Sequence, residues 1–170
     1  IGTMTRQTPH RPSLAAATIA VHGGRPEQTP GAPLSVPPVL ASTYVEGGAV
    51  GYGRNGNPTW TALEDVVGAL EGGRALAFAS GMAAVSTVYF ALLDPGDIVV
   101  APRAVYGSSR VLLEKEFSRY GVRSTFVDTS DEAALEAAVR PGTKLVFVET
   151  PANPTLACTD IERAAAIAHA

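Results

Sequence analysis

The sequence predicts an α/β fold: a mostly parallel sheet with helices on both faces, preceded by an extended N-terminal arm. Three observations carry this. Short apolar runs alternate with helical patterns from residue 58 onward, the signature of βαβ units. The connections between them are short and marked by Gly, Pro and Asp. Residues 1 to 57 show no sustained hydrophobic period and are rich in Pro, Gly and Thr, as in a segment that needs another surface to hold it.

From Pro58, the residues Leu63, Val66, Val67 and Leu70 fall at i, i+3, i+4 and i+7, one apolar helical stripe. Thr61 with Glu64, or Thr59 alone, would cap this helix, and Gly72-Gly73 would end it. The unbroken apolar run Ala75–Ala79 predicts a strand covered on both faces. Ser80-Gly81-Met82 turns the chain into a helix that reaches Leu93, where Asp94-Pro-Gly-Asp97 breaks it. Ile98–Ala101 predicts the next strand and Ser109–Tyr120 a helix ended by Gly121. Val122–Val127 reads as a strand, Glu132–Val139 as a helix, Lys144–Val148 as a strand and Asp160 onward as a helix.

Composition narrows the function classes. The 170 residues are 46% hydrophobic and 17% charged, which suits a globular core and argues against disorder. A net charge of −3 gives no electrostatic reason to expect nucleic acid or an anionic membrane. Cys158 is the single cysteine, so no internal disulfide can form, and His10, His22 and His169 are too far apart for a local metal motif. The apolar stretch Leu14–Val21 is too short to span a membrane and no small-residue cleavage site follows it. The expectation is a cytoplasmic enzyme, with Met4 as natural start and Ile1–Met4 including a tag remnant. The last helix runs to Ala170 without a C-cap, and the next strand of an alternating fold is missing, so a continuation beyond Ala170 is expected.

In a parallel sheet, ligands bind beyond the carboxyl ends of the strands. Three segments fall there: Ser80-Gly81-Met82, Tyr106-Gly107-Ser108 and Glu149-Thr-Pro-Ala-Asn153. On its residues alone, the first is either a tight turn or a phosphate cradle made of free N–H groups at the positive end of a helix. Tyr52 and Arg54 could together grip a phosphate dianion, or form a solvated Gly/Asn loop. Tyr106 could stack on a flat ring or plug the sheet edge, and Asn153 could meet a ligand oxygen or make an Asx turn.

Taken together these segments are more specific. In order, the chain carries Thr18-Ile-Ala-Val-His22-Gly, Tyr52-Gly-Arg-Asn-Gly-Asn-Pro-Thr59, Leu70-Glu-Gly-Gly73 and Phe78-Ala-Ser-Gly-Met-Ala-Ala84. Pro95-Gly-Asp97, Val105-Tyr-Gly107 and Glu149-Thr-Pro-Ala-Asn-Pro154 follow. This resembles the pyridoxal-phosphate (PLP) enzymes of Cys/Met metabolism: cystathionine γ-lyase, cystathionine γ-synthase, methionine γ-lyase and their sulfhydrylase relatives. The resemblance covers nearly the whole chain from about Thr18. It implies the fold type I, PLP-transferase-like architecture, with residues 1–57 as arm and subunit-contact segment and 58–170 as the first part of the PLP-binding domain.

The resemblance also implies roles. Gly81 and Met82, with Ser80 adjacent, would give N–H groups to the phosphate of pyridoxal 5'-phosphate. Tyr52 and Arg54 would reach the phosphate of the neighbouring subunit, so the site would belong to a homodimer, within a dimer of dimers. Tyr106 would stack on the pyridine ring and serve in proton transfer as the catalytic tyrosine. Asn153 would bond the ring's phenolic oxygen, with Glu149 in support. The family's Schiff-base lysine, in a Ser-x-Thr-Lys segment, and its pyridine-nitrogen aspartate, in an Asp-Asn-Thr segment, are expected beyond Ala170. Lys115 and Lys144 lack that context, so these 170 residues alone should not turn over, and a polypeptide ending here would be a binding or assembly module.

Within the resemblance, the loop after Tyr106 discriminates. Cystathionine enzymes typically read Tyr-Gly-Gly there, with an arginine five residues after the tyrosine. Here Ser108 takes the third position and Val111 the fifth, and Arg110 comes one place early, about 100° away on a helix. Methionine γ-lyases typically carry cysteine at the first of these places and a small apolar residue at the other. The expectation is therefore a methionine γ-lyase-like γ-elimination of sulfur amino acids, with cystathionine γ-lyase, cystathionine γ-synthase or an O-acylhomoserine sulfhydrylase as alternatives.

Overall fold

The structure, a computed structural model, describes residues 14–170. His10 and the expected start at Met4 lie outside the described residues. The chain forms two compact units, one ending at Ala77 and one running Phe78–Ala170.

In the N-terminal unit, helix α1 (Ala16–His22) precedes a long irregular stretch and helix α2 (Pro58–Leu70). The short α1 was not foreseen within the arm; its alanines supply the helix propensity. Gly24 has φ +64, and a Cβ there would lie 2.3 Å from the Ala62 carbonyl oxygen, so only glycine lets the chain leave α1 this close to α2. The arm is held by few bonds. Thr43 and Tyr52 form one antiparallel bridge, and the Gly53 N–H donates to Ser42 O at 2.6 Å.

The cap of α2 differs from the expected Thr59 or Thr61. Asn57 Oδ1 accepts the Thr59 N–H at 2.8 Å, and Pro58 stands at the first helical position, where its missing N–H costs nothing. The Asn57 amide also donates to Val39 O, while Thr59 Oγ1 accepts the Val39 N–H, both at 2.8 Å. Thr59 is thus engaged by the arm. Glu64, expected in a capping box, instead accepts the Ala77 N–H at 2.8 Å. Gly72, at φ +67, ends the helix, and the Gly73 N–H returns to Gly68 O.

The second unit holds α3 (Gly81–Leu92), β1 (Ile98–Pro102), α4 (Gly107–Val111), β2 (Arg123–Val127), α5 (Glu132–Ala138), β3 (Thr143–Val146) and α6 (Ile161–His169). The strands pair in parallel, in the order β2-β1-β3. All five residues of β1 are buried, as expected of a central strand covered twice. Successive side chains of a strand point to opposite faces, and the two cores follow that alternation. Val99 and Ala101 pack with Tyr89 and Leu93 at α3 and with Leu113, Phe117 and Val122. Val100 packs with Leu135 of α5 and Ala164 of α6. The expected parallel sheet with helices on both faces is therefore present.

Two expectations are corrected. Residues 75–79 form no strand: among the described residues no neighbouring strand pairs with them, and Leu76 is 70% exposed. A strand is held by its partners, not by apolar composition alone. The helix expected at Ser109–Tyr120 starts at Gly107 and becomes π-helical over Leu112–Phe117. There the Ser118 hydroxyl donates to Glu114 O (2.6 Å) and Lys115 O (3.1 Å), a side chain competing for the backbone carbonyls of the widened turn.

Candidate cofactor-binding site

The second unit brings together all three segments that follow the sheet or open its first helix. At the start of α3, Ser80 is extended, and its Oγ accepts the Ala83 N–H at 3.1 Å while its carbonyl accepts the Ala84 N–H at 3.1 Å. The N–H groups of Gly81 and Met82 then have no intrahelical partner. They stand at the positive end of a 12-residue helix. A Cβ built on Gly81 would meet nothing within 4 Å.

Beyond β1, Tyr106 stands at the N-cap of α4 with its side chain 58% exposed. Its backbone N–H donates to Glu149 Oε2 at 2.8 Å, across 43 residues. Ser109, buried in the first turn of α4, donates its hydroxyl to Met82 Sδ at 3.5 Å. The opening of α3, the loop after β1 and the segment after β3 are thus tied by two side-chain bonds. Sequence reasoning missed Ser109, because its link to Met82 spans 27 residues and leaves no local signal.

A cavity of about 300 Å³ lies at the carboxyl ends of the strands, lined among others by Pro102, Arg103, Thr129, Glu149, Ala152 and Thr159. Neither Tyr106 nor Ser80 lines it, so the cavity adjoins the three-segment cluster through Glu149 and Ala152 of its third segment. Asp128, also on its wall, is held below the usual carboxylate range by the Ser130 hydroxyl (2.6 Å) and N–H (3.0 Å), with Arg103 adding a smaller effect.

Tyr89, fully buried between Phe117 and Phe147, has a hydroxyl with no hydrogen-bond partner among the described residues. Burial first, then the charge of Glu149, push its pKa up to about 12.

The specificity candidates divide. Ser108 and Val111 are exposed, Val111 at 47%. Arg110 is engaged within its own unit. Its guanidinium pairs with Glu114 at 2.9 Å, donates to Arg103 O at 3.2 Å and lies 4.3 Å from the Phe126 ring centre. Asn153 is exposed, and its side chain makes no hydrogen bond among the described residues. The loop around it is pinned by Thr150 Oγ1, which accepts the Thr159 N–H, and by the buried Thr129–Thr159 hydroxyl pair at 2.6 Å.

Tyr52 and Arg54 pair with each other in the N-terminal unit. Arg54 Nη2 donates to Tyr52 Oη at 3.4 Å, and the guanidinium lies 5.0 Å from the ring centre. Gly53 between them is required, since a Cβ there would come within 2.9 Å of Ser42 Cα.

The fold and this cluster define an α/β protein in which a helix start with two free N–H groups is tied through Ser109 to a loop carrying an exposed tyrosine. The profile of the Cys/Met metabolism PLP-dependent enzymes matches residues 17–170, and the chain belongs to that family. It is 46% identical over 135 residues to cystathionine beta-lyase MetC of Bacillus subtilis (strain 168), covering 76% of this chain and 34% of that protein. It is 42% identical over 168 residues to L-methionine gamma-lyase of Porphyromonas gingivalis, covering 90% of this chain and 42% of that protein. The crystal structure of metB from Corynebacterium glutamicum superposes with a TM-score of 0.83 at 37% identity, over 92% of this chain and 43% of that one. The chain therefore spans about two-fifths of the length of these relatives.

The family's cofactor is pyridoxal 5'-phosphate, and the residues present fit it. Two unpaired N–H groups and an adjacent hydroxyl suit its phosphate, and an exposed phenol suits one face of its ring. Among the described residues, no helix is long and apolar enough to cross a membrane.

Proposed function

We propose that the protein bearing these residues is a PLP-dependent carbon–sulfur lyase that acts on sulfur amino acids by γ-elimination, in the manner of a methionine γ-lyase. The observation that carries the specificity is the loop after Tyr106. Val111 offers an exposed apolar side chain, and the neighbouring guanidinium of Arg110 is already bound by Glu114 and Phe126. That combination suits a short apolar substrate tail better than a charged one.

In this reading the Gly81 and Met82 N–H groups and the Ser80 hydroxyl hold the cofactor phosphate, and the Tyr52–Arg54 pair completes the phosphate site of a neighbouring subunit. The assembly is accordingly a homodimer with shared sites, within a dimer of dimers. Tyr106 covers one face of the pyridine ring, excludes water from it and carries a proton at its Oη. Asn153 meets the ring's phenolic oxygen, and Glu149 supports the Tyr106 loop. PLP, when bound, supplies an electron sink for the charge left at the substrate's α-carbon. Overall, methionine and water give methanethiol, 2-oxobutanoate and ammonia.

A second reading, cleavage of cystathionine at its β-carbon, is favoured by the 46% identity to the Bacillus subtilis enzyme. Product analysis of the full-length protein separates the readings. Methionine should yield methanethiol and 2-oxobutanoate. Homocysteine and pyruvate from cystathionine would establish the β-cleavage instead, cysteine and 2-oxobutanoate a cystathionine γ-lyase. A thioether from O-acylhomoserine and a thiol would establish γ-replacement, as in a cystathionine γ-synthase or O-acylhomoserine sulfhydrylase. Val111→Arg should move the ratio of kcat/KM values toward cystathionine and away from methionine by on the order of tenfold. An unchanged ratio would remove Val111 as a specificity determinant.

A further inference from the structure

The bond between Glu149 and Tyr106 reaches beyond general support. Tyr106 is the only aromatic residue of the three-segment cluster, yet 58% of it is exposed, so packing does not hold its ring. As the N-cap of α4, its own N–H lies outside the helical ladder and its side chain makes no cap bond. Its backbone N–H donates one hydrogen bond, to Glu149 Oε2 at 2.8 Å. A bond to a carboxylate is about twice as strong as a neutral one, and it fixes the backbone direction from which the ring departs.

Glu149 is also a costly choice of acceptor. It is only partly exposed, and drawing a carboxylate out of water costs solvation unless hydrogen bonds compensate. A glutamine carbonyl could accept the same N–H without placing a charge there. Glu149 reaches Tyr106 from the segment after the adjacent strand β3, and Ser109, three residues past Tyr106, fastens the same loop to Met82. The loop is therefore clamped on both sides of the tyrosine, once to the segment after β3 and once to the phosphate-binding turn.

We propose that Glu149 is a positioning residue: by accepting the Tyr106 N–H it sets the angle at which the Tyr106 ring meets the cofactor ring. This rests on the reading that Tyr106 covers the cofactor.

Glu149→Leu and Glu149→Asp test it in the full-length protein, the first removing the acceptor and the second keeping the charge but drawing it back by one methylene. Glu149→Gln is the conservative control. Amide hydrogen exchange at Tyr106 reads the bond directly, without reference to catalysis. It should speed up by roughly tenfold or more in the Leu and Asp variants and by clearly less in Gln, whose neutral carbonyl still accepts the N–H. The PLP dissociation constant should rise by roughly tenfold in the same two variants and be restored in Gln, with the visible absorption band of the bound cofactor shifted. Should Leu fail to fold, Asp carries the test. Unchanged exchange at Tyr106, or faster exchange with PLP affinity and absorption unaltered, would overturn the proposal. Tyr106→Ala separates the two claims. If it weakens PLP binding while the Glu149 variants do not, positioning fails and the ring's role stands. If it leaves PLP binding unchanged, the reading of Tyr106 itself fails.

Discussion

In the sheet unit Val99 and Val100 are fully buried, one toward each helical layer, whereas in the N-terminal unit Leu40 and Val45 are 96% and 91% exposed. Both regions contain apolar residues; they differ in what surrounds them. A parallel strand flanked by two others and covered by four helical segments buries every side chain it has. An irregular stretch tied down by one bridge and the Val39 bonds to Asn57 and Thr59 has no second layer to bury anything against. The sheet unit buries its apolar side chains between layers, and the arm leaves Leu40 and Val45 in solvent.

The sharpest test of that contrast compares truncations in the two regions. Leu113→Ala, at a side chain 1% exposed against Tyr89 and Phe117, should cost about 2–5 kcal/mol. Leu40→Ala should change stability by less than about 0.5 kcal/mol in the isolated 170-residue chain. Denaturant unfolding of both variants reads the difference. A large loss from Leu40→Ala in the isolated chain would mean that the arm does have a core of its own.

Arg54→Ala sharpens the comparison on the functional side. Its partners within the unit are the Tyr52 hydroxyl and ring, so the melting temperature of the full-length protein without cofactor should barely move. PLP retention should fall by on the order of tenfold or more, as expected for loss of a charged phosphate contact. Equilibrium dialysis against PLP measures it, and unchanged affinity would refute the phosphate role.

The smallest effect concerns Tyr89. Its folded pKa, raised to about 12 from the usual 10, means that the folded state holds the phenolic proton more tightly than the unfolded one. That contribution is complete below pH 10 and is lost as pH rises through 12. Tyr89→Phe should therefore flatten the fall in stability between pH 10 and 12. At neutral pH it should cost little, because the hydroxyl it removes satisfies no partner. A steeper fall in the variant would contradict the unpaired, buried state of that hydroxyl.

Much of the sheet unit was legible because its patterns are local. The apolar runs at Ile98–Ala101, Val122–Val127 and Lys144–Val148 became strands within one or two residues, each bounded by a Gly, Asp or Pro turn. The site was legible to the same depth. Tyr106 stands in the loop after β1, where a strand-to-helix pattern puts it, and Ser80 stands at the expected helix start, although the strand expected before it is absent. Ala75–Ala79 shows the opposite case: its composition suits a buried strand, but strand formation depends on a neighbour that no local pattern encodes. The cap of α2 was misread for a related reason. Thr59 and Glu64 have good capping chemistry, but Val39 and Ala77 claim them across 20 and 13 residues.

By itself, then, the sequence determined the alternation of strand and helix, the motifs that belong to the PLP family and the residues that stand at the carboxyl edge of the sheet. All of these depend on neighbours a few residues apart. The tertiary structure decided which groups are spent and which remain free. Arg110 is consumed by Glu114 and Phe126, the Tyr106 backbone is held by Glu149, and Met82 is tied to Ser109. A hydrogen bond forms where two groups meet within about 3 Å, and for partners tens of residues apart only the folded chain brings them there.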